Sequence, residues 1–175
     1  MNVLSRAVFA ACASAVALTV AGCGGPTQGG DPASEAQSQK GLAVVDPCEL
    51  LAPEQLKSFG FNGPGEPTSI VPSQPGCAFK GEPFSITVFK NEEETVESLG
   101  RQEGTWAKFD RLEVDGRPAA SGISSGSTRA RICSAMFNAG GGVIILTVQE
   151  FRDQGLDECA EGLKVAEAVA PKLPK

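Results

Sequence analysis

Histidine and tyrosine are both absent from this 175-residue chain, and only one tryptophan is present. Without histidine the chain cannot assemble a Ser-His-Asp triad or a Cys-His pair. Histidine-ligated metal sites are excluded for the same reason. A general base would have to be an aspartate, a glutamate, a lysine or a less common group. The composition therefore points away from the familiar hydrolytic sites, and we expect neither a bound metal nor a cofactor.

The chain also lacks an excess of basic residues. It contains 15 lysines and arginines against 21 aspartates and glutamates, which gives a formal net charge of −6 at pH 7. Proteins that bind nucleic acid neutralise phosphates with basic patches. The sequence therefore predicts no nucleic-acid partner.

Long apolar runs are scarce, and the one that stands out lies at the N-terminus. Residues 7–20 carry no charge, but the run is too short for a bilayer-spanning helix, which needs about 20 residues. Arg6 precedes it, and Val20-Ala21-Gly22-Cys23 follows it. This order is typical of a bacterial lipoprotein signal peptide, in which the cysteine receives a diacylglyceryl thioether and becomes the mature N-terminus. The alternative is a cleaved secretory signal with an incidental cysteine.

The lipoprotein interpretation fixes the expected organisation and location of the chain. Residues 1–22 would be removed as the signal peptide, and Cys23 would carry the lipid, with palmitate as a typical amide-linked acyl chain. Residues 23–41 are rich in Gly, Pro, Ser, Gln and Ala, so we expect a flexible tether. Residues 42–175 are long enough for a single globular domain. The protein is then expected on the extracytoplasmic face of the cell membrane.

Of the six cysteines, Cys12 would leave with the signal and Cys23 would be lipidated. An even number of four then remains in an exported domain: Cys48, Cys77, Cys133 and Cys159. This favours two disulfides. Zinc is the alternative, but its structural sites prefer pairs of ligands a few residues apart, and these cysteines are widely spaced.

Hydrophobic periodicity and turn residues predict an α+β fold. Helical segments are expected over residues 46–60, 92–103 and 157–170, the first being either one kinked helix or two short turns. Strands are expected over 77–80, 84–90, 109–114, 117–123, 129–137 and 143–149, and a Gly- and Pro-rich loop over 61–76. This order predicts an antiparallel sheet of about five to six strands, with helices packed on one face.

The predicted topology also suggests how the cysteines pair. If 129–137 and 143–149 form a hairpin, the last helix starts beside the strand that contains Cys133. Cys133 can then reach Cys159, which leaves Cys48 for Cys77. Each bridge would fasten a helical segment to the sheet.

Several short motifs resemble one known family. They are the run DPCELL at 46–51, PEQL at 53–56, GCAF at 76–79, RIC at 131–133 and the closing Leu173-Pro174. Together they are similar to the DUF3558 lipoproteins of actinobacteria, although GCAF ends in phenylalanine where tryptophan is expected. The resemblance implies the four-cysteine frame and the lipid anchor. It implies no active site, because the function of that family is unknown.

Candidate contact residues are few. Trp106 and Phe109 could form an aromatic contact surface, and a place in the core or at its rim is the alternative. We expect a non-catalytic binding module that is held at the membrane by its lipid and recognises an envelope protein or a small ligand. A carrier of small molecules or lipids with an internal cavity is the first alternative. A hydrolase built on carboxylates is the second.

Overall fold

The computed structural model describes residues 41–175, whose main element is a seven-stranded sheet in which every neighbouring pair is antiparallel. The strands are β1 (Glu66–Ser69), β2 (Pro75–Phe79), β3 (Phe84–Asn91), β4 (Trp106–Val114), β5 (Arg117–Ser124), β6 (Ile132–Ala139) and β7 (Gly142–Glu150). Their order across the sheet is β1-β2-β3-β7-β6-β5-β4. The sheet therefore consists of two meanders joined where β3 pairs with β7.

Three short α-helices accompany the sheet: α1 (Pro53–Ser58), α2 (Val96–Leu99) and α3 (Glu158–Val169). Single 3₁₀ turns cover Leu42–Val44, Pro47–Glu49, Ser125–Ser127 and Ala170–Lys172. Two aspartates act as N-caps, as their positions in the sequence suggest. Asp46 accepts a hydrogen bond from the Cys48 amide at 2.8 Å, and Asp157 accepts one from the Ala160 amide at 3.0 Å.

One face of the sheet packs against α3 and contains the main core. Alternate residues of β2, β3, β6 and β7 point into it, and the largest fully buried side chains include Phe79, Phe137, Ile86, Ile144, Leu146, Val88 and Val148. The helix lies close to the sheet because Gly162 has no side chain. A Cβ placed there would lie 3.2 Å from the side chains of Ala135 and Val148.

The second face is covered over part of its area by α2. Val96 and Leu99 form a smaller buried cluster with Ala120, Met136 and Val143. This helix lies in the connection from β3 to β4, which passes from the middle of the sheet to its far edge. The connection therefore crosses one half of the second face and covers only that half.

Two disulfides tie helical segments to the sheet, with the predicted pairing. Cys48–Cys77 joins the turn before α1 to β2, and Cys133–Cys159 joins β6 to the first turn of α3. The bridges close loops of 29 and 26 residues.

Both ends of the described chain meet at one end of the sheet. The Leu42 amide donates to the carbonyl of Gly140 in the β6–β7 turn, and the Gly140 amide donates to the Pro174 carbonyl. Buried Lys90 donates to the carbonyls of Leu42 and Ala43 at 2.9 and 2.8 Å. We call this the entry end of the sheet, because the chain enters the domain here. The opposite end, where Phe84 pairs with Glu150, is the far end.

The predicted α+β class, antiparallel sheet and two disulfides are confirmed, while the strand count is seven. The additional strand, β1, lies within the 61–76 segment that was expected to be a loop. All four residues of β1 are exposed, so the strand carries no apolar alternation that could reveal it. The first predicted helix, over 46–60, is two short segments: the 3₁₀ turn Pro47–Glu49 and α1. The second predicted helix, over 92–103, is shortened to α2, which packs on the opposite face of the sheet from α3.

The predicted signal peptide (1–22), the lipidated Cys23 and the tether up to residue 40 lie outside the described residues. Residues 41–175 all belong to one compact unit. Within that part of the chain, no helix combines the length and the hydropathy that a membrane crossing requires.

Candidate functional site

The half of the second sheet face that α2 leaves uncovered forms a groove, which we call the open groove. Its floor is a row of cross-strand partners: Ala78 pairs with Thr87, and Thr87 pairs with Thr147. Ser134 extends the row on β6 as the partner of Thr147. Directly opposed residues of antiparallel strands point to the same face, so these small side chains lie side by side across four strands.

The strand pattern explains why the floor of the groove is polar. In β3 the residues Phe84, Ile86 and Val88 enter the core, which directs Ser85 and Thr87 to the other side. In β7 the same alternation directs Thr147 outward beside them. The groove therefore follows from the period-two pattern of two central strands.

The cavity over the Ala78, Thr87 and Thr147 part of this floor has a volume of about 420 Å³. That is within the usual range for small-ligand sites, about 300–1,000 Å³. Its walls add hydroxyl, amide, charged and aromatic side chains at the far end of the sheet. The walls include Asn62, Lys80, Glu82, Ser85, Gln149 and Phe151. The side chain of Phe151 is 67% exposed to solvent.

The floor of the open groove is uncharged and rich in hydrogen-bonding groups. The hydroxyls of Ser134 and Thr147 lie 3.2 Å apart and share one hydrogen bond. Each hydroxyl offers one donor and two acceptor sites, so that bond leaves capacity for a ligand. At the rim, Lys80 is paired with Glu66 at 2.7 Å, and both side chains are exposed. The arrangement suits a neutral polar ligand better than an ion.

The predicted contact residues Trp106 and Phe109 stand farther along the same face. Phe109 is the cross-strand partner of Gly122, and the Trp106 ring lies over that glycine. The Trp106 indole donates to the Leu99 carbonyl at 2.9 Å, and its ring centroid is 5.3 Å from that of Phe109. Both rings are half-buried against the cluster under α2. They border the covered half of the face and do not line the open groove.

Charged groups with displaced pKa values lie away from the groove. A hydrogen bond from Asn138 lowers the pKa of Glu97, and a hydrogen bond to Asp110 raises the pKa of Lys108. The pKa of Arg131 is raised, chiefly by its hydrogen bond to Glu158.

Arg131 is the centre of an ion cluster at the far end. It contacts Glu158 at 2.7 Å, Asp153 at 2.9 Å and the buried carboxylate of Glu150. Glu150 also accepts a hydrogen bond from the Gln154 amide at 2.6 Å. The cluster holds the connection from β7 to α3 in place. Between Gly41 and the C-terminus, no group of three or more His, Cys, Asp or Glu residues is arranged to hold a metal ion.

A second cavity of about 310 Å³ opens at the entry end. The β6–β7 turn at 140–142, Arg117 and Lys175 contribute to its walls. The Arg117 guanidinium is already engaged, since it donates to the carbonyls of Leu173 and Pro174 at 2.8 Å each.

Sequence reasoning missed the open groove. The available signal is the polar alternate positions in FSITVFK at 84–90 and in the second half of VIILTVQ at 143–149, which indicate a polar stretch on the second face of the sheet. The apolar residues of the second strand favour burial on both faces, which is typical of a central strand, and β7 is central in the sheet. What the pattern could not show is where the cover over the second face stops, because that depends on the route of the chain between β3 and β4.

A family model described as "Protein of unknown function (DUF3558)" matches residues 7–172. No curated protein and no solved structure matches the chain.

Proposed function

The chain belongs to the DUF3558 family of proteins of unknown function, and from that premise we propose that it is a lipid-anchored, non-catalytic binding module of the cell envelope. The open groove is its binding surface, and an uncharged polar ligand is its partner. The observation that carries the proposal is the uncovered, hydroxyl-lined half of an otherwise packed sheet.

The chemistry of the groove supports binding over catalysis. Its floor of Ala78, Thr87 and Thr147 offers hydrogen bonds but no group that titrates near neutral pH. Three charged side chains stand at the walls and rim rather than on the floor: Lys80 pairs with Glu66, and Glu82 is exposed to solvent. An exposed aromatic ring at Phe151 beside hydroxyls and amides is typical of sites that orient a ligand through a few polar contacts.

The order of residues before the domain supports the location. Arg6, the apolar run 7–20 and Val20-Ala21-Gly22-Cys23 follow one another as in a lipoprotein signal. The two disulfides agree with it, since such bridges form and persist in exported proteins. The carrier alternative would need an internal cavity, and bulky buried side chains such as Phe79, Phe137 and Leu146 occupy the space under α3.

Photo-crosslinking in intact cells tests the proposal. A photoreactive amino acid replaces Thr87 on the groove floor, and in a matched control it replaces Thr128, which is exposed outside the groove. We expect a covalent adduct from position 87 and none from position 128. Equal adducts from both positions, or none from position 87, would contradict the groove as the binding surface.

A paired substitution measures the contribution of the floor. Thr147→Val keeps the shape of the side chain and removes its hydroxyl. One hydrogen bond is worth about 0.5–1.5 kcal/mol, so the adduct at position 87 should require roughly 2- to 10-fold more ligand. Thr128→Val should leave the yield unchanged. Chemical turnover of the captured ligand by the purified protein would show that the module is an enzyme.

A further inference from the structure

Large apolar side chains that are exposed to solvent concentrate at the entry end of the sheet. Val44 is 68% exposed, Ile70 is 65% exposed and Val71 is 46% exposed. The fourth such side chain in the part of the chain described by the structure, Phe151, lies at the far end beside the open groove. The two ends of the sheet therefore present different surfaces.

Strand register places the first three side chains at the same end. Ser69 pairs with Pro75, and Gly76 pairs with Phe89, so the turn that contains Ile70 and Val71 begins level with the last residue of β3. Val44 follows directly on Ala43, whose carbonyl is held by Lys90 of β3. A 3₁₀ turn and a hairpin tip thus expose apolar side chains at the same end of the sheet.

The chain outside the described residues attaches at this same end. Gly41 lies against the Gly140 carbonyl, where an added Cβ would come within 2.9 Å. Seventeen residues separate Gly41 from Cys23. A linker of that composition has an expected end-to-end distance of roughly 20–25 Å. If Cys23 is lipidated, the entry end is the part of the domain that the anchor holds nearest to the bilayer.

We propose that Val44, Ile70 and Val71 form a bilayer contact that seats the domain on the membrane to which Cys23 anchors it. This inference rests on the proposed lipid anchor and extends it. Partial insertion of three apolar side chains is weak on its own. The anchor makes the contact intramolecular, and the high effective concentration makes weak insertion sufficient.

The charges at the entry end select the kind of lipid surface. Lys90 is buried and bound to backbone carbonyls, so Lys175 is the exposed lysine beside the β6–β7 turn, while Glu92 and Glu93 follow β3 directly and also stay exposed. The end therefore offers little attraction for anionic headgroups. The entry end therefore suits a zwitterionic lipid surface. Contact through this end leaves the far end, with Phe151 and the open groove, facing away from the membrane.

Quenching of tryptophan fluorescence by brominated acyl chains tests the contact. The lipidated protein is reconstituted in phosphatidylcholine vesicles with bromine on the lipid tails, in a Trp106→Phe background that removes the one native tryptophan. The reporter is Val71→Trp, and the matched control is Phe151→Trp. We expect at least threefold stronger quenching at position 71 than at position 151. Equal quenching at both positions, or none at position 71, overturns the inference.

Hydrogen exchange on the lipidated protein without substitutions gives a second reading that does not depend on the Trp106→Phe background. Amides of residues 70–74 should exchange more slowly on vesicles than in the Cys23→Ala protein, while those of residues 151–155 should not change. Protein that attaches to vesicles through its lipid but shows no slowing at 70–74 overturns the contact alone. Protein that carries no lipid overturns the proposed anchor as well.

Discussion

At the scale of single residues, Gly122 and Trp106 define the boundary between the covered and the open halves of the second face. A Cβ at position 122 would lie 2.7 Å from the indole ring. The ring can therefore rest on the strand only because residue 122 is glycine. The adjoining row from Ala78 to Ser134 also consists of small side chains, so none of them projects far above the sheet.

We predict that Gly122→Ala displaces the Trp106 ring. The added methyl group overpacks the contact and should lower the free energy of unfolding by about 1–3 kcal/mol. Because Trp106 is the only tryptophan, its fluorescence emission should move to longer wavelength as the ring becomes wetter. Gly126→Ala is the control, since no heavy atom lies within 4 Å of a Cβ there. An unchanged spectrum for Gly122→Ala would mean that the ring does not lie over the strand.

Glu97 should contribute a pH-dependent part of the stability. Its pKa is lowered from the usual 4.5, first by the hydrogen bond from Asn138 at 3.0 Å. A carboxyl whose pKa falls on folding stabilises the folded state above its unfolded pKa, and this stabilisation is lost as the pH falls through the folded value. Glu97→Gln should therefore lose stability less steeply below pH about 4.5 than the natural chain. Urea unfolding at several pH values measures this, with Glu103→Gln, an exposed carboxylate elsewhere, as the control for net charge. Parallel curves for Glu97→Gln and the natural chain would argue against the hydrogen bond.

At the scale of elements, the predictable parts of the fold are those with a period or a cap. β3 and β7 alternate or run apolar, Asp46 and Asp157 begin helical segments, and the Asp115–Gly116 turn has positive φ at both residues. β1 escapes prediction because an exposed edge strand has no apolar face. The extent of α2 and the face that it covers also escape, because tertiary packing decides both. The open groove depends on α2, so it could not be predicted either.

The disulfides should contribute substantially to stability. In the chain-entropy model a loop of 26 residues is worth about 3.5 kcal/mol. We therefore expect the free energy of unfolding of the Cys133→Ala/Cys159→Ala double variant to be lower than that of the natural chain by roughly that amount. Denaturant titration measures the loss, and peptide mapping without reduction should recover the 48–77 and 133–159 pairs. A cross-link between Cys77 and Cys133, or free thiols at these positions, would refute the pairing.

At the scale of the whole molecule, the proposed function follows from the different surfaces that the two ends of the sheet present. The entry end contains both ends of the described part of the chain and the exposed Val44, Ile70 and Val71. The far end carries Phe151 and the walls of the open groove. A domain held by a lipid at one end would present its binding surface at the other. Both proposals therefore depend on the lipid at Cys23.

Metabolic labelling with an alkyne fatty acid, followed by membrane fractionation, tests that dependence most directly. The natural chain should incorporate the label and sediment with membranes, and its N-terminal peptide should begin at a diacylglyceryl-modified Cys23. The Cys23→Ala chain should incorporate no label. A natural chain that remains unlabelled, or a mature protein that begins elsewhere than Cys23, would contradict the account of this protein as a lipid-anchored envelope module.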